Sequence, residues 1–112
     1  MSKLAEKRVA IVATNGFEDS ELTEPLRAVR EHGAEVEVVS THTGTIRGEH
    51  GYEMIVSRDT AGASAEDYDA LILPGGVHNG DTLRLDEPAV ALVRSFFDQH
   101  KPVVSFRSPQ HK

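Results

Sequence analysis

Apolar and polar positions along this chain switch between two periods, and the switches divide it into strand-sized and helix-sized pieces. Residues 8–14, RVAIVAT, form an unbroken apolar run rich in β-branched side chains, with charge before it and Asn15-Gly16 after it. Such a run predicts a strand buried on both faces. In the next stretch, FEDSELTEPLRAVREHG, Leu22, Leu26 and Val29 recur at spacings of four and three, which lines one helix face, and Gly33 supplies the stop. Pro25 belongs near the start of this helix or at a kink in it. Residues 35–40, EVEVVS, return to period two and predict a second strand. The three pieces make a βαβ unit, so the two strands are expected to be parallel neighbours joined by a right-handed crossover.

The middle of the chain is less regular. THTGTIRGEHG, residues 41–51, reads as turns with a small hairpin leading into YEMIV at 52–56, and Ser64–Asp67, SAED, opens one helical turn. ALIL at 70–73 is a short buried strand that stops at Pro74-Gly75-Gly76. After a loop, LDEPAVALVRSFFDQH places Ala89, Val90, Val93 and Phe97 on one helix face, with Asp86 as N-cap and Pro88 in the first turn. KPVVSF, residues 101–106, is the last predicted strand. With no repeat or linker, residues 1–112 read as a single three-layer α/β domain.

Composition changes this picture mainly by exclusion. Twelve Lys and Arg against 18 Asp and Glu give a net charge of −6, and no basic stripe gathers for a nucleic acid. No run approaches the ~20 apolar residues of a membrane span, and MSKLAEKR is too polar for a secretory signal, so neither a membrane nor export is expected and the cytoplasm is the default. The chain has no cysteine, which removes disulfides, thiolate metal sites and a thiol nucleophile together. Its six histidines, at 32, 42, 50, 78, 100 and 111, follow no metal-binding spacing, so neither a metal nor another cofactor is indicated.

In an open parallel sheet, ligands bind beyond the carboxyl ends of the strands, where strand order reverses. Three loops should meet there: TNGFED at 14–19, PGGVHNGD at 74–81 and RSPQHK at 107–112. Gly75 and Gly76 would let the backbone turn sharply and aim N–H groups at an oxyanion, although the dipeptide taken alone reads as a plain tight turn. Glu18 stands past a strand end, placed either for proton sharing or for stabilising a helix N-terminus. There is no nucleotide-binding glycine pattern, and GxSxG is absent, so dinucleotide, P-loop and serine-hydrolase chemistry are poor fits.

Taken in order, VAIVATNGFEDSEL, LPGGVHNGDTLR and KPVVSF resemble the DJ-1/PfpI family, in particular its bacterial stress-protein and intracellular-protease branch, over about residues 8–106. The resemblance implies a flavodoxin-like three-layer sheet and chemistry that depends on cysteine, described variously as peptidase, glyoxalase or protein deglycase, together with stress-responsive chaperone roles. It also implies that Glu18 is the acid that hydrogen-bonds a thiolate, that Gly75 and Gly76 are the oxyanion loop, and that Asp81 is the nearest match to an acid some members contribute across a subunit interface.

In the family the last strand runs into a turn carrying cysteine, then histidine. Aligned from Lys101-Pro102, Arg107 stands at the nucleophile's place, Ser108 at the histidine's and Pro109 at the following glycine's. A guanidinium stays protonated and only donates, so it cannot replace a thiolate. The expectation is a truncated member, lacking the C-terminal part of the family fold, with a non-matching tail at 107–112 from a changed reading frame or a decayed copy. It is expected to be inactive in thiol chemistry, to take a small carbonyl or peptide only if the site were complete, and to leave apolar sheet surface exposed. Two alternatives stand beside this: weak Glu18-dependent carbonyl chemistry, and a chaperone-like or oligomeric interaction module, given that family members form dimers or hexamers.

Overall fold

The computed structural model describes residues 6–106, so Arg107 and the tail through Lys112 lie outside the described residues. β1 (Arg8–Val12), β2 (Glu35–Ser40), β5 (Arg58–Asp59), β6 (Ala70–Leu73) and β7 (Val103–Ser105) form one sheet in the order β5-β2-β1-β6-β7, with every pairing parallel. β3 (Gly44–Arg47) and β4 (Glu53–Val56) make a separate antiparallel hairpin. The helices are α1 (Asp19–Glu31), α2 (Val77–Leu85) and α3 (Glu87–Asp98).

β1 is central because its residues serve two cores. Val9 and Ile11 pack with Leu22 and Leu26 of α1 and with Ile46 and Val56 of the hairpin. Ala10 and Val12 face the other way, toward Leu71, Leu92 and Phe96. Alternation across a strand thus explains why residues 9–12 are apolar at every position. Strand order runs outward from β1 to β2 on one side and to β6 on the other, which puts the reversal between the carboxyl ends of β1 and β6.

Two sequence expectations change. Residues 77–81, read as loop, lie inside α2, whose Asn79 and Gly80 are weak helix formers. Tertiary contacts override that propensity: Asn79 is 1% exposed, its Oδ1 accepts the Thr14 N–H at 2.7 Å and its Nδ2 donates to the Pro74 carbonyl at 3.0 Å. In α3 the buried stripe is Ala89, Leu92 and Phe96 with Val93 beside it, while Val90 and Phe97, placed in the stripe from spacing, are 38% and 61% exposed. Both stripes fit a period of 3.6; packing against Tyr68 and Leu71 selects the one that buries Phe96.

Other local expectations match the fold. Asp86 caps α3 by accepting the Ala89 N–H at 3.0 Å, and Ser64 caps a single 3₁₀ turn at Ala65–Asp67. Pro25, by contrast, departs from its expected place near the start of α1: it lies inside the helix, which continues past it to Glu31. Gly33, at φ +94°, follows the end of α1 in the left-handed region. β7 is an edge strand of the described sheet, with Val104 50% exposed.

Candidate active site

The loops after β1 and β6 are locked together by backbone. The Glu18 N–H donates to the Gly75 carbonyl at 2.8 Å, and Gly76 has φ +118°, outside the comfortable range of any side-chain-bearing residue. A Cβ on Gly76 would stand 2.2 Å from the Gly16 carbonyl oxygen and 3.1 Å from the Glu18 nitrogen. Glycine is therefore required here twice, by conformation and by the close approach of a neighbouring backbone. Gly76 caps α2, so the positive end of that helix dipole lies at the turn.

Three acids open α1, and each does something different. Glu18 is the N-cap residue, but its carboxylate makes no capping bond and points to His50, with Oε1 3.6 Å from Nε2. Asp19 accepts the N–H groups of His50 at 3.0 Å and Tyr52 at 2.9 Å, tying the β3–β4 turn to the start of α1. Partial burial pushes the Asp19 carboxyl upward, but those two backbone bonds and the nearby His50 outweigh it and hold the group below its ordinary value. Glu21, one helical turn on, reaches the glycine turn itself, and its Oε1 accepts the Gly75 N–H at 2.7 Å.

The structure thus brings Glu18, Gly75 and Gly76 into one junction, as their loops predicted, but the carboxylate on the glycine turn belongs to Glu21. The Gly75 amide is engaged by it. Asp81 lies in α2, exposed and paired with Arg84. Sequence inspection passed over Glu21 because it sits inside a helical run; its place three residues after Glu18, on the same helix face, was the available signal. Asn79 was equally hidden, as an ordinary loop residue.

A cleft of about 960 Å³ opens beside the turn, between the end of β6, α2, α3 and β7. Gly75, Gly76, Asp81 and Arg84 contribute polar groups, and Leu83, Val93, Phe97 and Phe106 contribute apolar walls. The side chains with the strongest electrostatic perturbation lie elsewhere. Burial and the Glu37 carboxylate raise the Tyr68 hydroxyl well above its ordinary value, and Arg58 completes that internal network. Its partners are all within the fold, so it holds β2, β5 and the Tyr68 segment together.

An open parallel sheet with a glycine turn and acid-bearing loops meeting beyond its strand ends defines a flavodoxin-like α/β protein whose candidate site is the strand-order reversal. The DJ-1/PfpI family model matches residues 7–106. The chain belongs to the DJ-1/PfpI family. Over 98 residues it is 42% identical to the deglycase TK1284 of Thermococcus kodakarensis, an alignment covering 88% of this chain and 58% of that protein. General stress protein 18 of Bacillus subtilis is 39% identical over 99 residues, covering 87% and 57% of the two chains. The chain therefore spans less than two thirds of these relatives' length. Among solved structures, the two-domain protein of Anabaena variabilis with DJ-1/ThiJ/PfpI-like and ferritin-like domains superposes with a TM-score of 0.85 at 29% identity, over 88% of this chain and 30% of that one.

Proposed function

We propose that this chain folds the carbonyl-binding half of a DJ-1/PfpI site and performs no thiol-dependent turnover. The observation that carries the reading is the Glu21 carboxylate on the Gly75 amide at 2.7 Å, which assembles the glycine turn without help from any sulfur. The α2 dipole at Gly76 favours an oxygen carrying partial negative charge, such as a polarised carbonyl. Covalent versions of the family's chemistry need a thiolate, and the 112 residues contain no cysteine. The alignment from Lys101-Pro102, which sets Arg107 at the nucleophile's place, supports the same reading. Relatives named as deglycases and a general stress protein make a small reactive carbonyl the ligand class of choice.

Methylglyoxal is the test ligand. Consumption by the purified chain is expected to stop at about twelve equivalents, one for each Lys or Arg side chain it can modify. Sustained consumption beyond that, lost in Glu18→Ala or Glu21→Ala, would establish acid-dependent catalysis and overturn the inactive reading.

A second reading has its own observation: Phe97 is 61% exposed and Val104, on the edge strand β7, 50% exposed. Apolar side chains beside a strand edge favour self-association through that side of the sheet. Light scattering is expected to give a mass above 12.2 kDa that falls to the monomer value in Val104→Lys. A native chain that runs as a monomer at every concentration would remove this reading.

A further inference from the structure

We propose that Glu18, Glu49 and His50 form a binding site for a divalent transition-metal ion of the zinc type. One donor atom from each of the three lies within 4.8 Å of the others. The donors come from two segments far apart in sequence, the end of the β1–α1 loop and the tip of the β3–β4 turn, which is why histidine spacing along the chain gave no sign of them.

Neither carboxylate is tied up in a structural hydrogen bond among the described residues. Glu18 is at the N-cap position yet makes no capping bond, and its described contact is His50 at 3.6 Å. Glu49 makes no side-chain hydrogen bond or ion pair among the described residues, although its backbone N–H, donated to the Phe17 carbonyl at 2.8 Å, holds it over the same loop. A simple His50–Glu18 ion pair would account for one acid and leave the other beside it, two negative groups against one imidazole. A divalent cation neutralises both.

The donor set suits the ion. Imidazole nitrogen with carboxylate oxygens is a common zinc combination, and three protein ligands leave a coordination position for water or a ligand. Ligand atoms around a tetrahedral ion stand about 3.4 Å apart, from bonds of about 2.0–2.1 Å. The remaining contraction falls on side chains that solvent reaches: His50 is 70% exposed, Glu18 is partly exposed at 32%, and Glu49 is exposed. Their backbones are already placed, because Asp19 accepts the His50 N–H and Gly48 packs so closely on Asp19 that a Cβ there would come within 2.2 Å of Oδ1.

Zinc chloride titrated calorimetrically into the full chain, with manganese chloride broadening of amide NMR signals as the second measurement, tests this site independently of any turnover. One equivalent of zinc is expected to bind, with affinity falling about tenfold or more in Glu18→Gln, Glu49→Gln and His50→Gln. His100→Gln, just past the C-terminal end of α3, is expected to bind as the native chain does. Manganese is expected to broaden residues 17–19 and 48–51 first. No saturable zinc binding up to about 1 mM, affinity unchanged in His50→Gln, or broadening centred elsewhere would each overturn the assignment.

Discussion

Gly76→Ala is expected to destabilise the fold by about 3 kcal/mol, lowering the melting temperature by roughly 10 °C for a domain of this size. Two costs combine. A residue with a Cβ is strained at φ +118°, and the new methyl would stand 2.2 Å from the Gly16 carbonyl oxygen. Neither relaxes cheaply, because the neighbour is backbone held by the Glu18 N–H to Gly75 carbonyl bond on one side and by the Gly16 N–H to Arg47 carbonyl bond on the other. Gly80→Ala is the matched control, since nothing lies within 4 Å of a Cβ built there. Alanine at 80 is expected to leave the melting temperature unchanged or raise it. Equal losses at the two positions would show that helix α2, and not the turn, sets the sensitivity.

Asn79→Ala ranks second, with an expected loss of about 2–4 kcal/mol in urea unfolding at unchanged m-value. The buried amide satisfies a donor on the β1 loop, the Thr14 N–H, and an acceptor on the β6 loop, the Pro74 carbonyl. Removing it leaves both without that partner in a site 1% exposed, so the cost is mainly the desolvation of two orphaned backbone groups. A loss under about 0.5 kcal/mol would mean that water enters and replaces the amide.

Periodicity carried the sequence as far as the sheet. The apolar run at 8–14, the alternation at 35–40 and the fours and threes of α1 are imposed by burial, so β1, α1 and β2 could be read from them, as could the β3–β4 hairpin from its turn residues. Helix α2 could not, because Asn79 and Gly80 look like loop residues until Asn79's two buried bonds are known. The face of α3 was ambiguous for a related reason: seven apolar residues within 89–97 satisfy two stripes, and only the packing of Phe96 on Tyr68 chooses between them.

The site divides the same way. The loop positions of Glu18, Gly75 and Gly76 were legible from the strand ends they follow. Which carboxylate turns toward the glycines was not, since side-chain direction at the head of α1 depends on the β3–β4 turn that engages Asp19 and lies beside Glu18. The Glu18, Glu49 and His50 cluster is invisible in one dimension for the same reason: it exists only because that turn folds back on the helix start.

Glu21 holds the glycine turn in a chain that contains no thiol, through its bond to the Gly75 N–H. The direct measurement is amide hydrogen exchange at Gly75 in the native chain and in Glu21→Ala. The Gly75 amide is expected to be protected in the native chain and to lose most of that protection in Glu21→Ala. Equal protection in the two chains, or none in the native one, would contradict this role for Glu21.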